Sequence, residues 1–447
     1  MTRKIFFLFV LTLNIAITQN LKIGGYVQFD DRVRIKDKIL SWEEYRLDLT
    51  GQVEFEKVNF YSEVWFRNFG STNVKKLFEL SDKNKVAPID VDIREAYVDF
   101  KGFIFDNLDL RIGRQRIAWG TADKLNPTDN LNPDDLEDIW DYGRHLGSNA
   151  IKLSYYLGSF TFTGVFISEF VPAVLPRGDL MLLFADDFYS NFSGEIDFGS
   201  IGDRVIVKKP HATLKDGSKF GFKIAKRDLF GFDVSLSYVY GRDDIPIVKK
   251  IYFQSYLLNP ATPDSVILEF PRMRVLGFDL TGEAAGVGVW AEAGIFYPEK
   301  VDMEVFYNGG YMQPGVVGRI NVLDKKSYTR FVLGLDYTTS YGIYLNLQYL
   351  HGFLHERGRE NLKNYFTFNF EKRYMNDKVK FNFLSGGVEF KRLKGDYEII
   401  YNPQLSFTPV DNFEFSVGGR FIESRGKTTF GKLKDRDEVY VKVKYSF

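Results

Sequence analysis

Glu44-Tyr45-Arg46-Leu47-Asp48-Leu49-Thr50-Gly51-Gln52-Val53-Glu54-Phe55 alternates along its length. Tyr45, Leu47, Leu49, Val53 and Phe55 fall on one side of an extended chain, and Glu44, Arg46, Asp48, Thr50, Gln52 and Glu54 on the other. Side chains of a strand point to opposite faces with a period of two, so this segment reads as a strand with one apolar and one wet face. Six polar residues in succession on one face do not make a packed core. Either water covers that face or it encloses water.

The same alternation runs through the rest of the chain. Ile23, Gly25, Val27 and Phe29 oppose Lys22, Gly24, Tyr26, Gln28 and Asp30, and near the other end Phe413, Phe415, Val417 and Phe421 oppose Glu414, Ser416 and Arg420. Eighteen such runs fall near 22–35, 43–56, 58–69, 90–101, 107–119, 147–157, 159–170, 217–228, 230–241, 272–284, 286–297, 328–339, 341–351, 363–373, 378–391, 395–407, 411–423 and 436–447. Every second connection is short, as in Leu157-Gly158-Ser159 and Ala285-Gly286. Most of those between are long, notably 120–146, 171–216, 242–271 and 298–327. Short turns at one rim and long loops at the other are the pattern of a transmembrane antiparallel up-and-down β-barrel, all-β, of about 18 strands, with 16 the alternative count. Closure has a physical cause, because an open sheet edge in hydrocarbon would leave backbone groups unpaired at several kcal/mol each.

Composition agrees with that class. Aromatic residues make up 17% of the chain, with 43 Phe and 26 Tyr, beside 26% charged residues. A barrel shows its aromatics to lipid and keeps its interior polar, which yields this mixture. The absence of cysteine excludes a disulfide scaffold and thiolate chemistry. Basic and acidic residues balance at 59 each. Nucleic acid is therefore not an expected partner.

Arg3 and Lys4 precede an apolar run from Ile5 to Leu13 and then Ala16-Ile17-Thr18 before Gln19. These features predict a signal peptide over 1–18, with the barrel occupying 19–447 in the outer membrane. The apolar run is too short for a spanning helix, which needs ~20 residues. Strand pattern starts within a few residues of the expected mature start, so a large N-terminal plug is not expected. The last strand places Val439, Val441, Val443, Tyr445 and the terminal Phe447 on one face. Val443, Tyr445 and Phe447 are the expected recognition signal for the barrel-assembly machinery.

One region carries more specific features. Ile93-Arg94-Glu95-Ala96-Tyr97-Val98-Asp99 is followed by Leu110-Arg111-Ile112-Gly113-Arg114-Gln115 and by Ala118-Trp119-Gly120, and then by an Asn-Pro-rich loop, Leu125 to Pro133. It resembles a family of porin-like outer-membrane proteins that pair an R-E-A-Y strand with a strand reading R-x-G-x-Q-x-x-x-W-G. The resemblance spans about 40 residues and implies an outer-membrane barrel with a transport role; it brings no substrate.

Read on their own, Glu95, Tyr97 and Asp99 share one face, as do Asp109, Arg111, Gly113 and Gln115, and both sets are expected to face the lumen. The alternation slips at Arg94 and again at Arg114, which predicts a bulge or the start of the wet rim. Further lumen charges are expected at Arg46, Arg67, Arg420, Asp48, Glu63 and Glu414. The loop after Trp119 is acidic, with Asp123, Asp129, Asp134, Asp135, Glu137, Asp138 and Asp141, and Asn132-Pro133 has the form of a helix start. Two readings of this loop stand side by side. In one it folds inward, and Asp134, Asp135 and Asp138 oppose Arg111, Arg114 and Arg116 across a constriction. In the other it is a solvated outer loop bridged by divalent cations to lipopolysaccharide.

No cofactor or metal is expected: the loop lacks a complete calcium motif, and His351 and His355 have zinc-like spacing only on a helix. No nucleophile elbow points to an enzyme. The expected function is passive or selective diffusion of small hydrophilic solutes across the outer membrane, since 16 to 18 strands leave an aqueous lumen. The alternative is a closed-lumen barrel acting as an enzyme, a surface binding protein or a structural envelope protein.

Overall fold

The alternating runs are strands, and each joins the next in an antiparallel ladder. In the computed structural model the strands of the described residues, those of the loops included, are in chain order β1 (Leu21–Arg34), β2 (Leu40–Phe55), β3 (Val58–Asn68), β4 (Ile89–Phe100), β5 (Leu108–Gln115), β6 (Ser148–Leu157), β7 (Phe160–Ile167), β8 (Val205–Lys208), β9 (Lys219–Leu229), β10 (Phe232–Arg242), β11 (Ile247–Phe253) and β12 (Ser265–Glu269). There follow β13 (Arg272–Ala284), β14 (Val287–Pro298), β15 (Val301–Tyr307), β16 (Gly315–Leu323), β17 (Tyr328–Thr338), β18 (Ile343–His351), β19 (Asn364–Tyr374), β20 (Val379–Phe390), β21 (Tyr397–Tyr401), β22 (Gln404–Phe407), β23 (Phe413–Arg425) and β24 (Glu438–Ser446). The structure describes residues 21–70, 74, 76–177, 204–253, 263–307, 315–390, 396–426 and 428–447. The expected signal peptide, and stretches of the 171–216, 242–271 and 298–327 connections, lie outside the described residues.

Eighteen strand positions close into one antiparallel barrel, with β21 and β22 forming a single interrupted strand between β20 and β23. The interruption falls at Asn402-Pro403. Proline has no N–H for the ladder, and the Pro403 carbonyl still accepts from Gly419 N–H at 3.1 Å, while the extra residue lies on β20, where Asn382 and Gly386 face Gln404 and Tyr401. Closure is made by β1 against β24, where Val27 stands opposite Tyr445 and Arg32 opposite Tyr440. Phe447 and Gly25 complete the seam by exchanging two backbone hydrogen bonds of 3.0 Å. The expected count of 18 holds, and every sequence run overlaps a barrel strand.

The faces sort as the alternation requires. Along β2, Glu44, Arg46 and Asp48 are buried inside. On the outside Phe66, Ile112, Leu153, Leu236, Leu276 and Leu333 are exposed. An apolar band of that extent around a closed wall is stable against hydrocarbon rather than water.

The long connections contain more structure than their sequence suggested. The five strands β8, β11, β12, β15 and β16, drawn from three different loops, form a second sheet in the order β16-β15-β11-β12-β8. Two of its pairings, β11 with β15 and β12 with β8, are parallel, so they join segments distant in the chain. Ile251, Val266, Met303 and Leu323 are buried beneath it, and its core is continuous with Leu125, Leu136 and Ile139 of the loop between β5 and β6. The long-loop rim therefore carries a packed cap.

Candidate functional site

The connection from β5 to β6, residues 116–147, turns into the barrel and crosses it. Four of its acidic residues, Asp134, Asp135, Glu137 and Asp138, are buried, and each meets an arginine or a histidine. Asp138 accepts from Arg32 of β1 at 2.9 Å, and Arg32 is held from behind by Asp30. Glu137 pairs with Arg67 of β3, with Arg144 at 3.5 Å and with Arg177 at 3.0 Å. Asp135 pairs with Arg94 at 3.0 Å and Arg144 at 2.9 Å. Asp134 faces His145 at 3.0 Å. Removing one partner of such a buried pair typically costs ~3–5 kcal/mol, because the other charge is left uncompensated.

The arginines converge for a local reason. Trp65 of β3 points inward, and the guanidinium groups of Arg46, Arg94, Arg144 and Arg67 lie 4.0, 4.2, 5.6 and 5.9 Å from its ring centre. Its indole N–H is donated to Asp48 and Glu63, which keeps the ring turned toward the cations. Arg94 reaches this cluster through a β-bulge. In the β3–β4 register Glu63 faces Glu95 and Val64 faces Ile93, so Arg94 is the extra residue. The bulge swings its side chain from the outer face into the lumen.

Electrostatics hold the loop's acids ionised. Burial alone would raise the carboxyl of Asp138, yet Arg32, with Arg420 and Lys442 beyond it, holds it far below the usual carboxylate range. Asp135 is lowered in the same way: burial opposes ionisation and Arg144 and Arg94 outweigh it. For His145 burial disfavours the charge, but Asp129 and Asp134 reverse the balance and raise its pKa.

The opposite wall grips the first half of the loop. Glu292 of β14 is buried and accepts five hydrogen bonds, from Thr121 N–H (2.9 Å), Ala122 N–H (3.1 Å), Asn126 Nδ2 (3.2 Å), Thr128 N–H (2.7 Å) and Thr128 Oγ1 (2.8 Å). Gln348 of β18 accepts from Asp123 N–H and donates to the Asp123 carbonyl, both at 3.1 Å. Gly120 makes this approach possible. Its φ is +95°, and a Cβ there would stand 2.5 Å from a Glu292 oxygen. Gly113 of β5 is similarly constrained, at φ +130° with the Ala96 carbonyl oxygen 2.4 Å from where a Cβ would lie.

The expected lumen residues divide into three groups. Asp134, Asp135 and Asp138 sit in the crossing loop, and Arg116 joins them by pairing with Asp129 at 3.0 Å. Glu95, Asp99, Asp109, Arg111 and Gln115 do face inward, but not as one constriction. Arg111 pairs with Asp99 across the ladder at 2.6 Å and lies over Tyr97, Glu95 accepts from Arg116 N–H, and Gln115 is buried between wall and loop, donating to the Ala150 carbonyl. Asp109 stays near the short-turn rim with Lys101 at 2.9 Å. Arg114 corrects the expectation: it lies on the outer face and its Nε donates to the Ile93 carbonyl, freed by the bulge. The wall cations that meet the acidic loop are Arg32, Arg67 and Arg94, joined by Arg144 of the loop itself, in place of Arg111 and Arg114.

The helix start at Asn132-Pro133 is also corrected. Asn132 accepts from Ile117 N–H at 2.7 Å and donates to the Gln115 carbonyl and Ser148 Oγ, stitching the two ends of the loop together. The backbone beyond it forms single bridges, Asp134 with His145 and Asp135 with Val174. His355 is buried beside Phe353. The sequence reading missed Arg32, Glu292 and Gln348. Glu292 left a signal, as a lone carboxylate on an inward face that also carries Trp290 and Phe296.

Between the loop and the wall from β18 round to β2 there remains a cavity of about 650 Å³. Trp140, Tyr142 and Asp123 border it on the loop side, and Asn369, Gln404 and Lys444 are among its wall residues. The loop thus narrows the lumen to one flank.

A closed 18-stranded wall, apolar outside and polar within, crossed by an inward loop, defines a porin-like barrel. Within that class the chain belongs to the family described as Protein of unknown function (DUF1302), whose model matches residues 18–306. No curated protein matches the chain. Among solved structures it is similar to Salmonella typhi OmpF in complex with daunomycin, at 9% identity and a TM-score of 0.41, covering 96% of this chain and 98% of that one. It is also similar to a triple mutant of the Rhodopseudomonas blastica porin, at 9% identity and 0.41 over 96% and 100% of the two chains. Vibrio cholerae OmpT, folded in vitro and in trimer form, matches at 7% identity and 0.42 over 96% and 99%. The barrel's closure rests on its own strand pairing rather than on these likenesses.

Proposed function

We propose that the protein is an outer-membrane channel through which small hydrophilic solutes diffuse, with loop 116–147 setting the width of the passage. The observation that carries this reading is the loop's double anchorage, to Arg32, Arg67 and Arg94 on one wall and to Glu292 and Gln348 on the other, which leaves a polar-lined cavity along one flank. A wall of 18 strands supplies an aqueous lumen, and the mixed charge around the cavity suits polar solutes of either sign. In this reading the long-loop rim faces outward to lipopolysaccharide, the terminal strand ending in Phe447 serves the assembly machinery, and no catalysis is involved. The resemblance of the Arg94–Tyr97 and Arg111–Gly120 segments to porin-like proteins supports the same role.

A second reading, a barrel closed at rest by its cap, is favoured by the apolar cluster that joins Phe353, Phe430 and Leu433 to the loop residues Leu125 and Ile139. Single-channel recording of the folded protein in a planar bilayer separates the two. Discrete steps at rest, enlarged when residues 132–141 are deleted, support the channel with a loop-set constriction. Steps left unchanged by the deletion would remove the loop's role, and silence from a folded sample would favour the closed barrel.

A further inference from the structure

The outer face of the wall changes character at the long-loop end of β10 and β13. Along β13 the outward side chains run Arg272, Arg274, Leu276 and Phe278, and along β10 they run Arg242, Tyr240, Tyr238 and Leu236. In the ladder Arg274 stands opposite Tyr240 on one side and Tyr297 of β14 on the other, and Arg242 stands opposite Arg272. Strand geometry gives the depth of these arginines. From Arg274 to the end of β13 at Ala284 the chain rises ~34 Å at ~3.4 Å per residue. A tilt of ~40° reduces this to ~26 Å of height, about that of the apolar band around a transmembrane barrel. Arg272 and Arg274 therefore stand at the outer edge of the hydrocarbon, where an outward charge costs little, whereas at mid-depth it is strongly destabilising.

Two of the arginines hold a piece of the rim in place. Arg242 donates to the Asp216 carbonyl at 3.0 Å and to the Phe270 carbonyl at 2.7 Å, and Arg272 donates to the Lys215 carbonyl at 3.0 Å and to Tyr240 Oη at 3.1 Å. Both pair with the Asp216 carboxylate, at 2.5 and 2.8 Å. These bonds seat the single helical turn Leu214–Gly217, whose cap is Thr213, at the head of β10 and β13. The turn leaves Leu214, 67% exposed, and Lys215 at the surface. Arg274 plays no such part. It is exposed, makes no ion pair among the described residues and lies 5.9 Å from the centre of the Tyr240 ring. Against Lys215, Arg242, Arg272 and Arg274 stand Asp216 and Glu299, the latter accepting from Arg272 N–H at 2.9 Å. The patch keeps a net positive charge, carried by Arg274 and Lys215, beside the exposed Phe220 and Leu276 of the apolar band.

We propose that Arg274, with Lys215 and the partly exposed Arg272, binds a phosphate of the lipid anchor of lipopolysaccharide in the outer leaflet, and that acyl chains of this lipid lie on Phe220 and Leu276. The free charge calls for an anion, and its depth puts that anion in the headgroup layer. The side chains beneath it continue the surface that meets hydrocarbon. A guanidinium fork matches the geometry of phosphate, and Tyr240 and Tyr297 suit a boundary where one end of a ring is apolar and the other wet. The lipid anchor, a phosphorylated disaccharide carrying several acyl chains, presents both chemistries at that boundary. The proposal rests on the outer-membrane placement with the long-loop rim outward, and it does not require conduction.

The test is native mass spectrometry of the full-length folded protein in detergent, titrated with bisphosphorylated lipid A, with the same lipid dephosphorylated, and with phosphatidylglycerol. Lipid A is expected to bind about tenfold more tightly than either of the others, and the double variant Arg274→Gln, Lys215→Gln to lose most of that preference, since one charge-assisted contact contributes a factor on the order of ten. Both residues are exposed, so the double variant is expected to fold. Arg227→Gln, at an exposed cation of the short-turn rim, should bind lipid A as wild type does. Equal binding of the three lipids, or a preference unchanged in the double variant, overturns the site. Phosphatidylglycerol binding as tightly as lipid A overturns lipid A as the occupant. A second measurement separates the site from the placement it rests on. The chain has no cysteine, so Lys209→Cys, in the exposed stretch before Leu214, can be labelled on intact cells with a membrane-impermeant maleimide. Labelling without the lipid preference overturns the site and leaves the placement. The preference without labelling overturns the outward placement, and with it the proposed occupant.

Discussion

Replacing Glu292 by alanine isolates the anchor that holds the first half of the crossing loop. The wild-type carboxylate accepts three backbone N–H groups, of Thr121, Ala122 and Thr128, together with Asn126 Nδ2 and Thr128 Oγ1. At a net ~1 kcal/mol for each hydrogen bond the five contribute about 5 kcal/mol, and water entering the space vacated by the side chain recovers part, leaving a loss of about 3 kcal/mol. At 1.4 kcal/mol per decade this corresponds to local opening of residues 120–128 raised on the order of a hundredfold. Hydrogen–deuterium exchange read by mass spectrometry measures it directly. Peptides covering Thr121 to Thr128 are expected to exchange about two decades faster in Glu292→Ala. Peptides covering Asp134 to Asp138 should keep their protection, because Arg32, Arg67 and Arg94 still hold that half. Identical exchange across 120–128 in the two proteins would refute the view that this carboxylate seats the loop, and loss of protection throughout the loop would refute the independence of its two anchors.

Two further outcomes follow from the same geometry. Gly120→Ala places a methyl group 2.5 Å from a Glu292 oxygen at a backbone angle of +95°, so it is expected to lower the thermal midpoint of the folded barrel and to reproduce the exchange pattern of Glu292→Ala; a variant indistinguishable from wild type in both would refute the close approach. The second concerns pH. Asp138 is depressed in the folded protein, so its contribution is present above the ordinary carboxylate pKa and is lost only as pH falls through its much lower folded value. Asp244, just past β10, is instead raised to about 6 by burial and by Asp134 beside it, so folding takes up a proton there and stability rises as pH falls through about 6 toward 4. Thermal midpoints are therefore expected to rise from pH 7 to pH 4.5 in wild type and to be flatter over this interval in Asp244→Asn, while Asp138→Asn lowers the midpoint about equally at both pH values. A slope unaffected by Asp244→Asn would remove that assignment.

Much of this architecture was legible in the chain because a barrel wall is written with the shortest possible period. Each strand declares its own two faces, as Glu44 to Phe55 does, and the spacing of the runs separates the turn rim from the loop rim. Even the bulge left a mark, since Arg94 broke an alternation that Glu95, Tyr97 and Asp99 resumed. The candidate site was legible only by residue type. The acids of the loop pointed to a set of arginines, and Arg111 and Arg114 with Arg116 stand on the strand that leads into it. Arg111 is satisfied by Asp99 directly across the ladder, and Arg114 faces outward. The true partners of Asp138 and Glu137, Arg32 and Arg67, stand 106 and 70 residues away, and nothing local marks them.

The sequence by itself determined the closed, two-faced wall, because alternation, turn spacing and the need to pair every backbone group in hydrocarbon leave one solution. Only the tertiary structure decided what fills that wall. Which arginine neutralises Asp138, which carboxylate receives the amides of Thr121 and Thr128, and that segments of three loops pair into a cap are all consequences of curling the sheet shut. Closure brings strands that are far apart in the chain within reach of one loop. In that enclosed, poorly solvated space a buried charge or donor is held by whichever partner the curvature delivers.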